Sequence, residues 1–338
     1  MTLLSTALFH VLACDAPSRT ATAPATPVPR RLTLAGYTTP REAYETSIFP
    51  AFRAAWKAKT GEDVTFEATW QGSGAQARAV REGLEADLVA LSLDPDVAVL
   101  EEAGLVTHDW RTGADGGMVT RSLAVLAVRP GNPKGIADWS DLAAEGVDVL
   151  TPNVRTSGGA MWNVLALHGA VTRGRVAGVA ADDAGSAALL GRVLSRVKVM
   201  DKGARESIVT FEKGVGDVAI TYENEVLVAK RSGQAMDYVV PPSTILIENP
   251  LVVVDAYVQK HGTEEIAAAF VAFCHSPEAQ RAYAAHGLRP VLAEATPSEL
   301  PTPADLVTIR DLGGWAQVKQ KVFAAGGLYD QAQQATGK

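Results

Sequence analysis

Residues 151–160, TPNVRTSGGA, followed at once by MWNVLALHGAV, decide how the chain folds. Pro152 and Asn153 stop the apolar run GVDVL, so a strand ends and a loop opens there. Thr156 or Ser157 can cap the next segment, where Met161, Leu165 and Leu167 suit a helix packed on one side. Gly158 and Gly159 have no side chains to cover the first-turn amides. A hydroxyl, bare N–H groups and the positive end of a helix together make an anion seat. Taken singly, Ser-Gly-Gly before a helix is also an ordinary cap and tight turn. Its weight comes from two more segments of similar build, at 72–76 and 203–206.

The chain around this stretch has 338 residues, enough for a sizeable core in two lobes. Apolar residues make up 47% and charged ones 20%, which suits a globular protein. The formal charge of -7 argues against a broad nucleic-acid surface, although a local anion site needs no positive total. ILIENPLVVV is interrupted by Glu248, Asn249 and Pro250, so it reads as two strands or a strand bend, not as a membrane span. The six histidines are scattered without metal-ligand spacing, so no metal and no cofactor is expected.

The start of the chain reads separately. MTLLSTALFHVLACDA is short and apolar and ends Val11-Leu12-Ala13 before Cys14, which resembles a bacterial lipoprotein signal over residues 1–14. The basic n-region common in export signals is missing. Residues 15–30 are rich in Ala, Pro and Thr, a tether composition. Cys14 is thus expected to carry lipid, which leaves Cys274 as the other cysteine and no intramolecular disulfide.

From Arg31 onward strands and helices alternate. LTLAGY is a strand; VTFEATW is another, and Gln71-Gly72-Ser73-Gly74 opens the helix AQARAVREGLE. Here Ser73 can offer its amide and hydroxyl, and Gly74 allows close approach. ADLVALSLDPDVAVLEEAGL adds a strand and a helix capped by Asp94 or Asp96. Later, Asp201-Lys-Gly203-Ala204-Arg205-Glu206 forms the third loop, with the Ala204 N–H as donor if Gly203 makes the turn. Arg205 is expected to pair with Asp87, Glu223 or the ligand. Tyr222 ends the strand VAITY at its carboxyl end, where cleft residues belong. The alternation argues an α/β fold with crossovers near 118–122 and 243–250. Lobe 1 is assigned to 31–118 plus 250–332, lobe 2 to 119–249, with a hinged cleft between them.

Three uncharged helix starts from both lobes suit a compact oxyanion held by neutral donors. A protonated oxyanion would leave its proton unmatched in such a site, which favours sulfate over hydrogen phosphate. No Ser-His-Asp or Cys-His constellation emerges, and the Gly-Ser-Gly loop has neither dinucleotide nor P-loop spacing, so an enzyme is not expected.

The segments GSGAQARAV, GLEADLVALSL, GNPKGIADWSDL, TPNVRTSGGAMWN, DKGARESIVTFEKGVGD and TYENEVLVAK resemble the periplasmic sulfate- and thiosulfate-binding proteins of ABC importers, from about Leu32 to Gln331. The resemblance implies the type II periplasmic binding protein fold, a periplasmic or envelope-exterior location and delivery to a membrane ABC permease. It places the ligand donors on Ser73, Ser157, Gly158, Gly159 and Ala204. Tyr222 stands where the family has a tryptophan donor. Thr38, in Tyr37-Thr-Thr-Pro-Arg41-Glu42, stands where it has an aspartate. Phosphate, molybdate or another tetrahedral oxyanion stays open as the ligand, as does a sensor role. A monomer is expected, since a clamp must open and present both lobes.

Overall fold

The computed structural model describes residues 30–335 together with Met1. Cys14 and the apolar leader lie outside the described residues.

Among the described residues, eleven strands are joined by backbone ladders. The first lobe is built on β1 (Arg30–Tyr37), β2 (Val64–Gln71) and β3 (Leu88–Ala90), with β1 parallel to both neighbours. Two long strands, β4 (Met118–Val128) and, later, Ser243–Val253, run through the positions where crossovers are expected. The second lobe follows with β5 (Val149–Leu150), β6 (Val197–Val199), β7 (Val218–Tyr222) and β8 (Asp237–Val239). The chain then returns through β9, the strand Ser243–Val253, and ends with β10 (Arg289–Pro290) and β11 (Asp305–Val307).

The ladder order is β2-β1-β3-β9-β4-β7-β5-β6. The far end of β9 pairs with β3, and the first half of β4 pairs with β9 from Leu246 to Pro250. The second half of β4 pairs with β7. One antiparallel pair of strands thus belongs to both lobes and forms the hinge. Two continuous strands bend more readily than a packed interface slides, because their mutual hydrogen bonds survive a change in twist.

Each lobe has its own core. In the first, Tyr44, Phe49, Phe52 and Phe270 are buried together with Leu32, Leu34 and Ile266. Phe49 stacks on Phe66 with ring centroids 4.1 Å apart, an arrangement that suits aromatic quadrupoles. In the second, Trp139, Trp162, Leu165, Leu189 and Ile220 pack around β4 and β7.

The C-terminal segment departs from its expected place. β11 pairs in parallel with the start of β9, at Ser243–Ile245. Val307, Val318, Val322, Leu328, Tyr329 and Ala332 lie in the same apolar cluster as Leu165, Leu189 and Val193. Residues from Asp305 onward therefore sit with the second lobe, not with residues 31–118. The physical reason is an unfilled face: Leu165 and Leu189 need apolar cover, and the chain end supplies it. The bidentate pair from Arg173 to Asp305, at 2.9 and 2.6 Å, fixes the register.

Candidate functional site

Four helices start at one point between the lobes. They are Ser73–Arg81 from the first lobe, and Gly158–Thr172, Ala204–Glu212 and Glu223–Arg231 from the second. Each begins just after a strand or loop in extended conformation, at Gly72, Ser157, Gly203 and Tyr222 respectively. The first-turn amides of such helices have no intrahelical acceptor, and the helix dipoles place partial positive charge beside them.

A small cavity lies at this convergence. Its lining contains Thr38, Thr39, Ser73, Ser92, Ser157, Gly158, Gly159, Ala204 and Tyr222, with Tyr37, Gly72 and Gly203 completing it. Every residue singled out from the sequence as ligand-binding therefore lines one cavity: Ser73, Ser157, Gly158, Gly159, Ala204, Tyr222 and Thr38. Among the described residues, no lysine or arginine lines it.

The glycines are needed for closeness. A Cβ on Gly72 would lie 2.3 Å from the Thr156 carbonyl oxygen and 2.9 Å from that of Lys202. A Cβ on Gly158 would meet the Ser92 side chain at 2.5 Å, and one on Gly159 the Tyr222 ring at 2.7 Å. Gly72 and Ser92 belong to the first lobe and the others to the second, so the lobes are in contact across the cleft. Gly74 is looser, with its nearest neighbour at 3.5 Å.

The hydroxyls are used differently. The Ser157 hydroxyl oxygen accepts from the Ala160 N–H at 3.4 Å, which leaves its proton for the cavity. Thr156 turns away and donates to the Lys202 carbonyl at 2.8 Å, so Ser157 and not Thr156 is the cap. Ser73 departs from expectation. Its hydroxyl donates to Asp96 Oδ2 at 2.5 Å and accepts from the Ser92 N–H at 2.8 Å. In this arrangement only its amide is directed at the cavity. Neither Asp94 nor Asp96 caps its helix, since Asp94 holds Arg111 and Asp96 holds Ser73.

Ser92 was not legible as a site residue, yet it joins the parts. Its carbonyl accepts from Trp162 Nε1 and Asn249 Nδ2, both at 3.0 Å. Its hydroxyl is 2.6 Å from that of Tyr222. Two hydroxyls sharing one bond retain one proton to donate and spare lone pairs to accept. Burial, the largest cause, pushes the Tyr222 hydroxyl well above the usual tyrosine range, so it stays protonated. The available signal was positional: Ser92 follows the apolar run of β3 at its carboxyl end.

Arg205 does not line the cavity, and it pairs with neither Asp87 nor Glu223. Its Nε lies 2.8 Å from Oε2 of Glu225, a fully buried carboxylate. Asp87 is instead held by His261, Thr263 and the Thr33 N–H, and Glu223 by a bidentate pair with Arg289. Burial pushes the Glu225 carboxyl up, and Arg205 opposes the shift. Tyr37 supports Tyr222 from beneath, with ring centroids 6.2 Å apart.

Among the described residues no cluster of three or more His, Cys, Asp or Glu side chains could hold a metal, and no helix is long and apolar enough to cross a membrane. Cys274 is fully buried and its thiol is pushed up to about 12, so it is a packing residue.

Two α/β lobes on a paired-strand hinge, with helix starts facing a small cleft, define a solute-binding protein. The chain belongs to the bacterial extracellular solute-binding proteins, whose family model matches residues 32–289. It is 42% identical to the sulfate-binding protein of Synechococcus elongatus over 91% of this chain and 87% of that one. Identity to the thiosulfate-binding protein of Pseudomonas aeruginosa is 34%, over 83% of this chain and 86% of that one. Among solved structures, the sulfate-binding protein SubI of Mycobacterium tuberculosis superposes with a TM-score of 0.79. It shares 37% identity over 87% of this chain and 99% of its own. A periplasmic thiamin-binding protein, at 16% identity and a TM-score of 0.68, shares the fold.

Proposed function

We propose that this chain captures sulfate in the interlobe cavity and delivers it to the membrane permease of an ABC importer, without catalysis. The supporting observation is the convergence of three helix starts, at Ser73, Gly158 and Ala204, on a small cavity that no lysine or arginine lines among the described residues. Desolvating a dianion is costly unless many donors reach it at once. The N–H groups of Ser73, Gly158, Gly159 and Ala204, with the hydroxyls of Ser157 and Tyr222, supply such a set. The amides of Thr38 and Thr39 close it from the first lobe. Rigid backbone donors bond a fully deprotonated tetrahedral ion without a counter-cation. The names carried by the relatives agree with this ligand.

Calorimetric titration of the ligand-free chain with sulfate tests the reading. Tight binding of one sulfate per chain is the expected result. Phosphate binding with no sulfate heat would overturn it and make the Ser92–Tyr222 pair an acceptor for a ligand proton. Thiosulfate, which one group of relatives is named for, belongs in the same titration.

We also infer that the protein works outside the cytoplasmic membrane as a monomer, tethered through lipid on Cys14. Intact mass of the processed chain tests the tether: a diacylglycerol adduct on a chain beginning at Cys14 supports it, and an unmodified leader overturns it.

A further inference from the structure

We propose that Trp162 is a positioning residue for the ligand: its indole N–H, given to the Ser92 carbonyl from the opposite lobe, fixes Ser92 and with it the Ser92–Tyr222 hydroxyl pair that presents a proton to the anion. This rests on the oxyanion reading of the same cavity. Every polar group of Ser92 is engaged. Its N–H donates to Ser73 Oγ at 2.8 Å, and its carbonyl accepts from Trp162 Nε1 and Asn249 Nδ2 at 3.0 Å each. Its hydroxyl lies 2.6 Å from that of Tyr222. The two donors fill both carbonyl lone pairs, so the Ser92 backbone has one place to sit. Whichever hydroxyl donates to the other, the pair has one proton left for the anion, and where that proton stands depends on where Ser92 is held. Trp162 does not line the cavity, so its influence on the anion passes through Ser92.

The indole is itself held in place. Trp162 is buried in the helix Gly158–Thr172, and the ring of Trp315, from the C-terminal segment, meets it edge-on with centroids 5.1 Å apart. Leu93, next to Ser92, is buried in the same apolar cluster as Trp162, Leu165 and Ile220. The segment after β3 is therefore seated in the second lobe beside the indole. Gly158 allows that approach, since a Cβ there would lie 2.5 Å from Ser92 Oγ and 2.9 Å from the Leu93 side chain. Asn249 stands on the hinge strand β9, whereas Trp162 stands on the second lobe. The Asn249 bond thus belongs to the hinge, and the indole bond to the meeting of the lobes. Loss of the indole N–H leaves the Ser92 carbonyl with one donor, so no buried group is stranded.

The experiment is a double-mutant cycle read by calorimetric titration of the full chain with sodium sulfate, and with sodium thiosulfate and then phosphate if sulfate gives no heat. Trp162→Phe keeps an aromatic ring and removes the N–H, and it should weaken the anion about fivefold to tenfold. Ser92→Ala keeps the backbone carbonyl that the indole reaches and removes the hydroxyl. In that background Trp162→Phe should cost less than about twofold. A loss that persists in full there would overturn the proposal, because the indole would then act only by tying the lobes together. Unchanged affinity in Trp162→Phe would overturn it too. Thermal melting of the ligand-free chains checks folding, and Trp315→Leu tests the same contacts from the C-terminal segment. It should weaken binding about threefold, an effect that disappears in the Ser92→Ala background; affinity equal to the parent's would count against the proposal. Binding of thiosulfate or phosphate without sulfate would overturn the sulfate reading and leave the cycle, run with that anion, to decide this one. Binding of none of the three would overturn both.

Discussion

Two neighbouring hollows between the lobes treat charge in opposite ways. The inner one, at the four helix starts, is lined by serine, threonine, glycine, alanine and tyrosine. The outer one, at the cleft mouth, is lined by Arg41, Glu42, Glu45, Trp70, Arg205 and Glu206 as well as Thr38 and Thr46. Charges abound in the second, yet its arginines are engaged. Arg41 reaches Glu45 at 3.1 Å and Arg205 reaches Glu225 at 2.8 Å. An anion passing the mouth finds cations already neutralised, and inside finds dipoles with no partner of their own. On the proposed reading, selective capture rests on preorganised neutral donors. A lysine would be flexible and would hold many anions; a ring of amides accepts only one that can receive every bond.

The largest expected effect breaks the inner hollow by shape alone. Gly72→Ala would push a methyl group against two carbonyl oxygens of the other lobe, at 2.3 and 2.9 Å, and backbone cannot step aside. Closure should become harder by about 3 kcal/mol, weakening sulfate roughly a hundredfold in titration. The ligand-free melting temperature should change little, because the contact is made between the lobes and not within either core. Affinity within threefold of the parent would show that close approach of these loops is not what holds the ligand.

Next comes the charge pair that keeps the outer hollow neutral. Arg205→Met strands the buried Glu225 carboxylate, and chemical denaturation should show a loss of about 3 kcal/mol at neutral pH. The sign with pH follows from the raised Glu225 pKa: the penalty exists where the group is ionised and shrinks as falling pH protonates it. The loss should therefore be larger at pH 8 than at pH 5. An equal loss at both would mean that the arginine acts by packing alone.

Tyr222→Phe is gentler, since the ring and its contact with Gly159 remain. Removing one hydroxyl donor should weaken sulfate about tenfold, or about 1.4 kcal/mol. An unchanged dissociation constant would mean that the hydroxyl serves Ser92 and not the ligand. The smallest effect is expected at Arg41, whose side chain is 58% exposed. Arg41→Ala should leave affinity within about twofold, because exposed pairs contribute little. Raising the salt about tenfold should change the parent's affinity only modestly, since an enclosed site is weakly screened. A steep loss with salt would place part of the binding energy on the cleft mouth after all.

Helix starts were readable because capping is local. Ser157 and Gly158, or Gly203 and Ala204, reveal an amide-rich turn within a few residues, and the alternation of strands and helices places those turns at one edge of the lobes. Asp94, Asp96 and Arg205 misled for the converse reason. An acidic residue in the first turn of a helix looks like a cap, but its partner is chosen by whatever the fold brings near, and here that was Arg111 and Ser73.

The sequence by itself therefore determined the elements, the two-lobed class and the uncharged chemistry of the donor loops, because each depends on spacing within one segment. Only the tertiary structure decided that Ser92 meets Tyr222 across 130 residues, that Glu225 claims Arg205 and that the chain end covers the second lobe. Those outcomes follow from which buried groups lacked a partner once the lobes came together. A one-dimensional pattern carries the propensity of each segment, while the satisfaction of a buried charge or hydroxyl is settled by neighbours in space.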